Sequence, residues 1–107
     1  MISTHILDTS KGTPAAGVRV VLEKQSASGW VGVSEGMTNS DGRFAFPDSD
    51  GEGSFRIHFE IEPYLSGGGE PSFFLNIPIS FRIVDGSRKV HIPLLLSPYG
   101  LSSYRGS

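Results

Sequence analysis

The sequence predicts an all-β protein, an antiparallel β-sandwich of two sheets with at most one short helix. Three observations lead there. Apolar residues recur at every second position through most of the chain, the period of a strand with one buried face. Glycine (14) and proline (7) are frequent for 107 residues, so many turns are expected. No stretch holds a helical period for more than about two turns. Short strands with one apolar face each bury those faces by stacking as two sheets.

The elements follow in order. Near the start, Ile2 and Ile6 share a phase that leaves His5 out of it, and Lys11-Gly12-Thr13-Pro14 is a turn signal. Val18, Val20 and Leu22 alternate with Arg19, Val21 and Glu23. After the turn signal Asn39-Ser40-Asp41-Gly42, Phe44 and Phe46 alternate with Arg43 and Ala45. Asp48-Ser49-Asp50-Gly51 marks the next turn, and Phe55, Ile57, Phe59 and Ile61 then alternate with Arg56, His58 and Glu60. A short helix has room only after Ile61, and Gly67-Gly68-Gly69 reads as a loop. The clearest alternation runs through Phe73, Leu75, Ile77, Ile79, Phe81 and Ile83. Pro78 lies inside it and cannot donate to a ladder, which predicts an edge strand or a bulge. Asp85-Gly86-Ser87 turns the chain into Val90, Ile92, Leu94 and Leu96. With no linker, repeat or low-complexity tail, residues 1–107 are expected to form one domain.

Composition excludes several kinds of chemistry. A net charge of -2 without clustered Lys and Arg argues against a nucleic-acid surface. No cysteine is present, which excludes disulfides, zinc–thiolate sites and thiol nucleophiles. No apolar run approaches the roughly 18 residues needed to span a membrane. The N-terminal residues lack a basic region followed by an apolar stretch, so the expected location is cytoplasmic. Asp48, Asp50, Glu52 and Gly53 imitate the start of a calcium-binding loop, but Phe59 stands where that loop needs a closing glutamate. The segment reads as an acidic turn, and no metal site is expected.

Parity also sorts the chemical groups. His91 alternates with Val90 and Ile92, Arg43 with Phe44 and Phe46, and His5 with Ile2 and Ile6. All three therefore project from outer sheet faces. Pro93 and Leu95 share the phase of His91, an unusual solvent surface that makes more sense as a subunit interface. Imidazole titrates near neutral pH, which suits His5 and His91 to move protons. His58 also points outward and reads as structural or solvent-facing. Read alone, Arg43 is an outward charged residue after an Asp-Gly hairpin turn.

Two segments carry a family resemblance. Thr4-His5-Ile6-Leu7-Asp8 at one end, and His91-Ile92-Pro93-Leu94-Leu95-Leu96-Ser97-Pro98 with Tyr104-Arg105-Gly106-Ser107 at the other, resemble the 5-hydroxyisourate hydrolases of the transthyretin-like family. The resemblance extends over essentially the whole chain. It implies a prealbumin-like sandwich and hydrolysis of 5-hydroxyisourate, a product of urate oxidation, to 2-oxo-4-hydroxy-4-carboxy-5-ureidoimidazoline without a cofactor. It also implies a homotetramer with its sites at the dimer–dimer interface. By the same resemblance His5, Arg43, His91 and Ser107 are the catalytic group, while Tyr104, Arg105 and Gly106 bind substrate. Many members carry a second histidine two residues before the one matched by His91, and here Lys89 stands in that place. Two rivals are a transthyretin-like ligand carrier without turnover and a non-catalytic β-sandwich module. Gly12 to Val18 with the Asp-Gly-Arg element also resembles the non-catalytic regulatory domains of carboxypeptidases, so this element supports the prealbumin-like fold more than it supports the enzyme. The intact C-terminal tetrapeptide, absent from transthyretin itself, favours the enzyme.

Overall fold

A computed structural model describes all residues 1–107 and shows two stacked sheets and one short helix. The first sheet is built on β1 (Ile2–Asp8), which is paired along both sides. On one side run β5 (Arg43–Phe46) and, at the far end, the two-residue β2 (Thr13–Pro14). On the other side runs β8 (Val90–Ser97), followed by β9 (Gly100–Ser103). The second sheet has the order β4 (Gly29–Met37), β3 (Arg19–Ser26), β6 (Gly53–Glu60), β7 (Ile77–Ile83). Helix α1 (Glu62–Leu65) follows Ile61 directly, where a short helix was expected, with Pro63 in its first turn.

The parity reading of the core holds for most strands. Val18, Val20, Leu22, Phe46, Phe55, Ile57, Phe59, Ile61, Val90, Ile92, Leu94 and Leu96 join Ile2 and Ile6 in one buried cluster. Each fully buried side chain of this size contributes about 1.5–3 kcal/mol through removal from water. Pro78 sits on β7, the edge of its sheet, as its missing N–H requires.

Three features differ from the sequence reading. The pairing of β1 with β8 is parallel, in an otherwise antiparallel molecule. Strand β4 was not anticipated, because Gly29, Gly32 and Gly36 interrupt its pattern and a register shift between Leu22 and Glu23 breaks its match to β3. Gly36 is required there, since a Cβ would lie 2.2 Å from the ring of Phe44. Finally, the alternation from Phe73 to Ile83 is not one strand. Phe73 and Leu75 are exposed, and Phe74 packs against the core instead. The cause is local: Ser72 Oγ donates to the Phe74 carbonyl, and Asn76 Oδ1 accepts from the Glu62 amide at the start of the helix.

Two polar side chains point inward from β1 and both are satisfied. Thr4 Oγ1 donates to the Ile92 carbonyl at 2.7 Å, which ties β1 to β8. Asp8 is 3% exposed and accepts four hydrogen bonds: from the amides of Ser10 and Lys11, from Ser10 Oγ, and from the Tyr64 hydroxyl at 2.7 Å. Burial pushes the Asp8 carboxyl up, but the hydrogen bonds together outweigh it and hold the group below the ordinary aspartate range. Burial and then Asp8 raise Tyr64 to about 12.

A carboxyl whose folded pKa is depressed stabilises the fold above its unfolded value near 3.9, and that stability is lost as pH falls through the folded value. Tyr64→Phe, which removes one donor to a charged acceptor, is therefore expected to cost about 1.5–3 kcal/mol at neutral pH. The difference from wild type should shrink in denaturant melts as pH falls below the unfolded aspartate value near 3.9 and through the lower value of folded Asp8. A constant difference down to pH 2 would mean that Tyr64 acts through packing alone.

Candidate active site

The register of the first sheet brings three distant residues together. His5 on β1 lies directly opposite Arg43 on β5, while on the other side of β1 Ser3 pairs with His91 and His5 with Pro93. All four polar side chains share the outward phase. The rings of His5 and His91 lie 6.2 Å apart between centroids, inclined by 25°. At that separation the rings are near neighbours that do not touch face to face.

Arg43 is placed by its turn. Asn39 Oδ1 accepts from the amides of Asp41 and Arg43, and Gly42 adopts a positive φ of 72°. A Cβ at Gly42 would lie 2.5 Å from the Ile6 carbonyl, so β5 can approach β1 closely only with glycine there. Arg43 has no carboxylate partner among the ion pairs of the chain.

The charge of this cluster sets the state of its histidines. Burial and then the Arg43 guanidinium hold His5 below the ordinary imidazole value. For His91 the causes are burial, then Arg43, then His5. Both rings are accordingly neutral at neutral pH and able to accept a proton. A fixed cation beside two neutral bases is an arrangement for taking a proton from water while stabilising negative charge on a nearby oxygen.

The C-terminal residues divide between two places. Gly106 joins the cluster: its amide donates to the His91 carbonyl at 2.8 Å, and a Cβ there would lie 2.7 Å from Cδ2 of His91. Only glycine lets the chain lie this close to the ring. Ser107 follows, exposed beside it. Tyr104 and Arg105 instead line a cavity of about 200 Å³ with Ile79, Phe81, Ile92 and Ser103, at the edge where the two sheets open. Arg105 also borders a second cavity there, of about 340 Å³, with Arg82 and Arg88. Neither cavity is lined by His5, Arg43 or His91.

Pro93, expected on an open apolar surface, is buried within the chain, whereas Leu7 and Leu95 remain half-buried on that face. Lys89 is exposed, just before β8. His58 lies on the outer face of the other sheet, where Glu23 accepts from Arg56 and pairs with the His58 ring. The residue that sequence reasoning passed over is Ser3, whose hydroxyl lies 2.8 Å from His91 Nδ1. Its parity with His5 was the available signal.

The molecule is thus a two-sheet β-sandwich that gathers two imidazoles and an arginine without a carboxylate partner on one outer face. The chain belongs to the HIUase/Transthyretin family, whose model matches residues 2–106. It is 41% identical over 110 residues to the 5-hydroxyisourate hydrolase of Salmonella dublin, which covers 100% of this chain and 81% of that protein. The solved 5-hydroxyisourate hydrolase of Klebsiella pneumoniae is similar with a TM-score of 0.85 at 37% identity, over 99% of this chain and 98% of that one. Transthyretin from Sparus aurata gives a TM-score of 0.88 at 25% identity, over 98% and 95%. The resemblance read from the two ends of the sequence thus extends over the whole chain. Backbone shape alone does not separate a hydrolase from transthyretin, so the side chains must.

Proposed function

We propose that this chain hydrolyses 5-hydroxyisourate in urate breakdown, giving 2-oxo-4-hydroxy-4-carboxy-5-ureidoimidazoline. The observation that carries the reading is the pairing of His5 and His91 beside Arg43 on one sheet face. Similarity to 5-hydroxyisourate hydrolases over the full chain supports it.

The chemistry follows from the cluster. Water attacks the lactam carbonyl, its proton passes to a histidine, and the carbonyl oxygen becomes an oxyanion beside Arg43. The C–N bond then breaks, and the histidine returns the proton to the leaving ring nitrogen, so that one water is consumed and a carboxyl and an N–H appear. Positioned proton transfer of this kind contributes about 10²–10⁴-fold. Ser107 orients substrate or water, with Gly106 setting its place against His91; the family resemblance gives Tyr104 and Arg105 to substrate binding, although on one chain they line cavities apart from the histidines.

On a single chain the cluster lies on an open sheet face. Oxyanion stabilisation works best where water is excluded. A second copy laid over the face, with Leu7 and Leu95 at the contact, would close it; the family resemblance implies that the active form is a homotetramer with sites at the dimer–dimer interface, and the expected location is cytoplasmic. Sizing in solution tests this, and an active monomer would refute it.

The direct test follows loss of the ultraviolet signal of 5-hydroxyisourate generated in place by urate oxidase, against buffer alone because the compound also decays unaided. Decay no faster than buffer, with a folded protein of the expected size, would overturn the reading. Gly106→Ala is expected to lower turnover by up to about 10²-fold, because its Cβ displaces the His91 ring from its working position. The same assay checks it, and a wild-type rate would show that the ring has room to yield.

A further inference from the structure

We propose that Ser3 is a positioning residue for His91: its hydroxyl accepts the Nδ1 proton, so that the lone pair of the ring sits on Nε2. The inference rests on the reading of His91 as the base. Parallel pairing of β1 with β8 places Ser3 and His91 side by side, and the Oγ–Nδ1 distance is 2.8 Å. The Nδ1 edge of the ring is thereby committed to β1. If Ser3 donated instead, the lone pair of His91 would be spent on that hydroxyl and Nε2 would already carry a proton. A ring in that tautomer cannot take a proton from water at Nε2.

Ser3 is the side chain hydrogen-bonded to the His91 ring, and its accepting role is the proposal. Across the ring, Gly106 presents only backbone, so close that a Cβ there would lie 2.7 Å from Cδ2. Facing His91 on its own sheet are His5 and the Arg43 guanidinium, neither of which accepts from Nδ1 in this structure. Thr4, the next residue of β1, turns inward to the Ile92 carbonyl. No carboxylate orients the ring, a role an acidic group fills in many histidine-dependent hydrolases. A hydroxyl in the accepting role holds the ring with no added charge. Its bond to Nδ1–H strengthens as Nε2 takes up a proton, so it favours the protonated ring formed during the reaction.

The test pairs Ser3→Ala with Ser3→Thr and reads two quantities. In wild type, ¹⁵N resonances of the His91 ring should show Nδ1 protonated and Nε2 bare at neutral pH. Ser3→Ala should show mixed tautomers and a kcat lower by about tenfold with KM unchanged, the signature of a contact that matters in the transition state. Ser3→Thr, which keeps the hydroxyl, should restore both. A wild-type ring with Nε2 protonated, or Ser3→Ala with unchanged resonances and kcat, would overturn the proposal. The ring resonances need no substrate. If wild type fails to hydrolyse 5-hydroxyisourate, the hydrolase reading falls while the tautomer measurement still decides the role of Ser3.

Discussion

Replacing His91 by Asn is expected to lower turnover of 5-hydroxyisourate by about 10²–10⁴-fold while leaving the sandwich intact. The substitution removes the atom that accepts the proton and little else. Residue 91 contributes to the sheet through its backbone, including the carbonyl that accepts from Gly106. Asparagine also keeps a polar group near Ser3. Circular dichroism and size should therefore match wild type, and KM should change less than kcat, because the lost interaction belongs to the transition state. A variant with near-normal rates would remove His91 from the mechanism and leave His5 as the only base in the cluster. Loss of fold rather than rate would show that the ring is structural.

Arg43→Gln should have a second large effect, with two separable parts. Removing the cation beside the developing oxyanion is expected to cost about 10²–10³-fold in kcat. The pH dependence should also move. Arg43 is the second cause, after burial, of the lowered affinity of both His5 and His91 for protons. Without it both pKa values rise toward the ordinary imidazole value near 6.5. The neutral, proton-accepting form is then lost at a higher pH, so the acid limb of the rate profile shifts upward. In wild type that limb lies below about 6.5. An unchanged acid limb in Arg43→Gln would mean that the guanidinium points away from the rings in solution.

Much of the fold was legible because strand parity is local information. Val18, Val20, Leu22 and the run from Phe55 to Ile61 announce their buried face from neighbours two residues away, and the same rule turned His5, Arg43 and His91 outward. What parity cannot say is which outward residues meet. His5 and Arg43 are adjacent because β5 pairs with β1, and Ser3 reaches His91 because β1 runs parallel to β8. These are pairings over long separations, with no turn to announce them. Gly106 was legible only by resemblance, since a glycine next to a chain end has no periodic signal. Phe73 and Leu75 misled because alternation continued past the point where Asn76 ties the chain to the helix. In β4 the opposite happened, with glycines erasing a pattern that pairing supplies.

The parallel seam between β1 and β8 also fixes an order of events. Ser3 and His91 are separated by 88 positions in the chain. During synthesis β1 emerges first and can find β5 early, but its other side stays unpaired until β8 has been made. Non-local pairing of this kind is slow, because the loop must close before its contacts contribute. A waiting strand with one open side is also a site for misassociation with another nascent chain. The constellation around His91 therefore depends on the longest-range pairing that β1 makes, and catalytic competence during refolding is expected to lag the burial of the β3–β6 core, which activity and fluorescence followed on one time course would check.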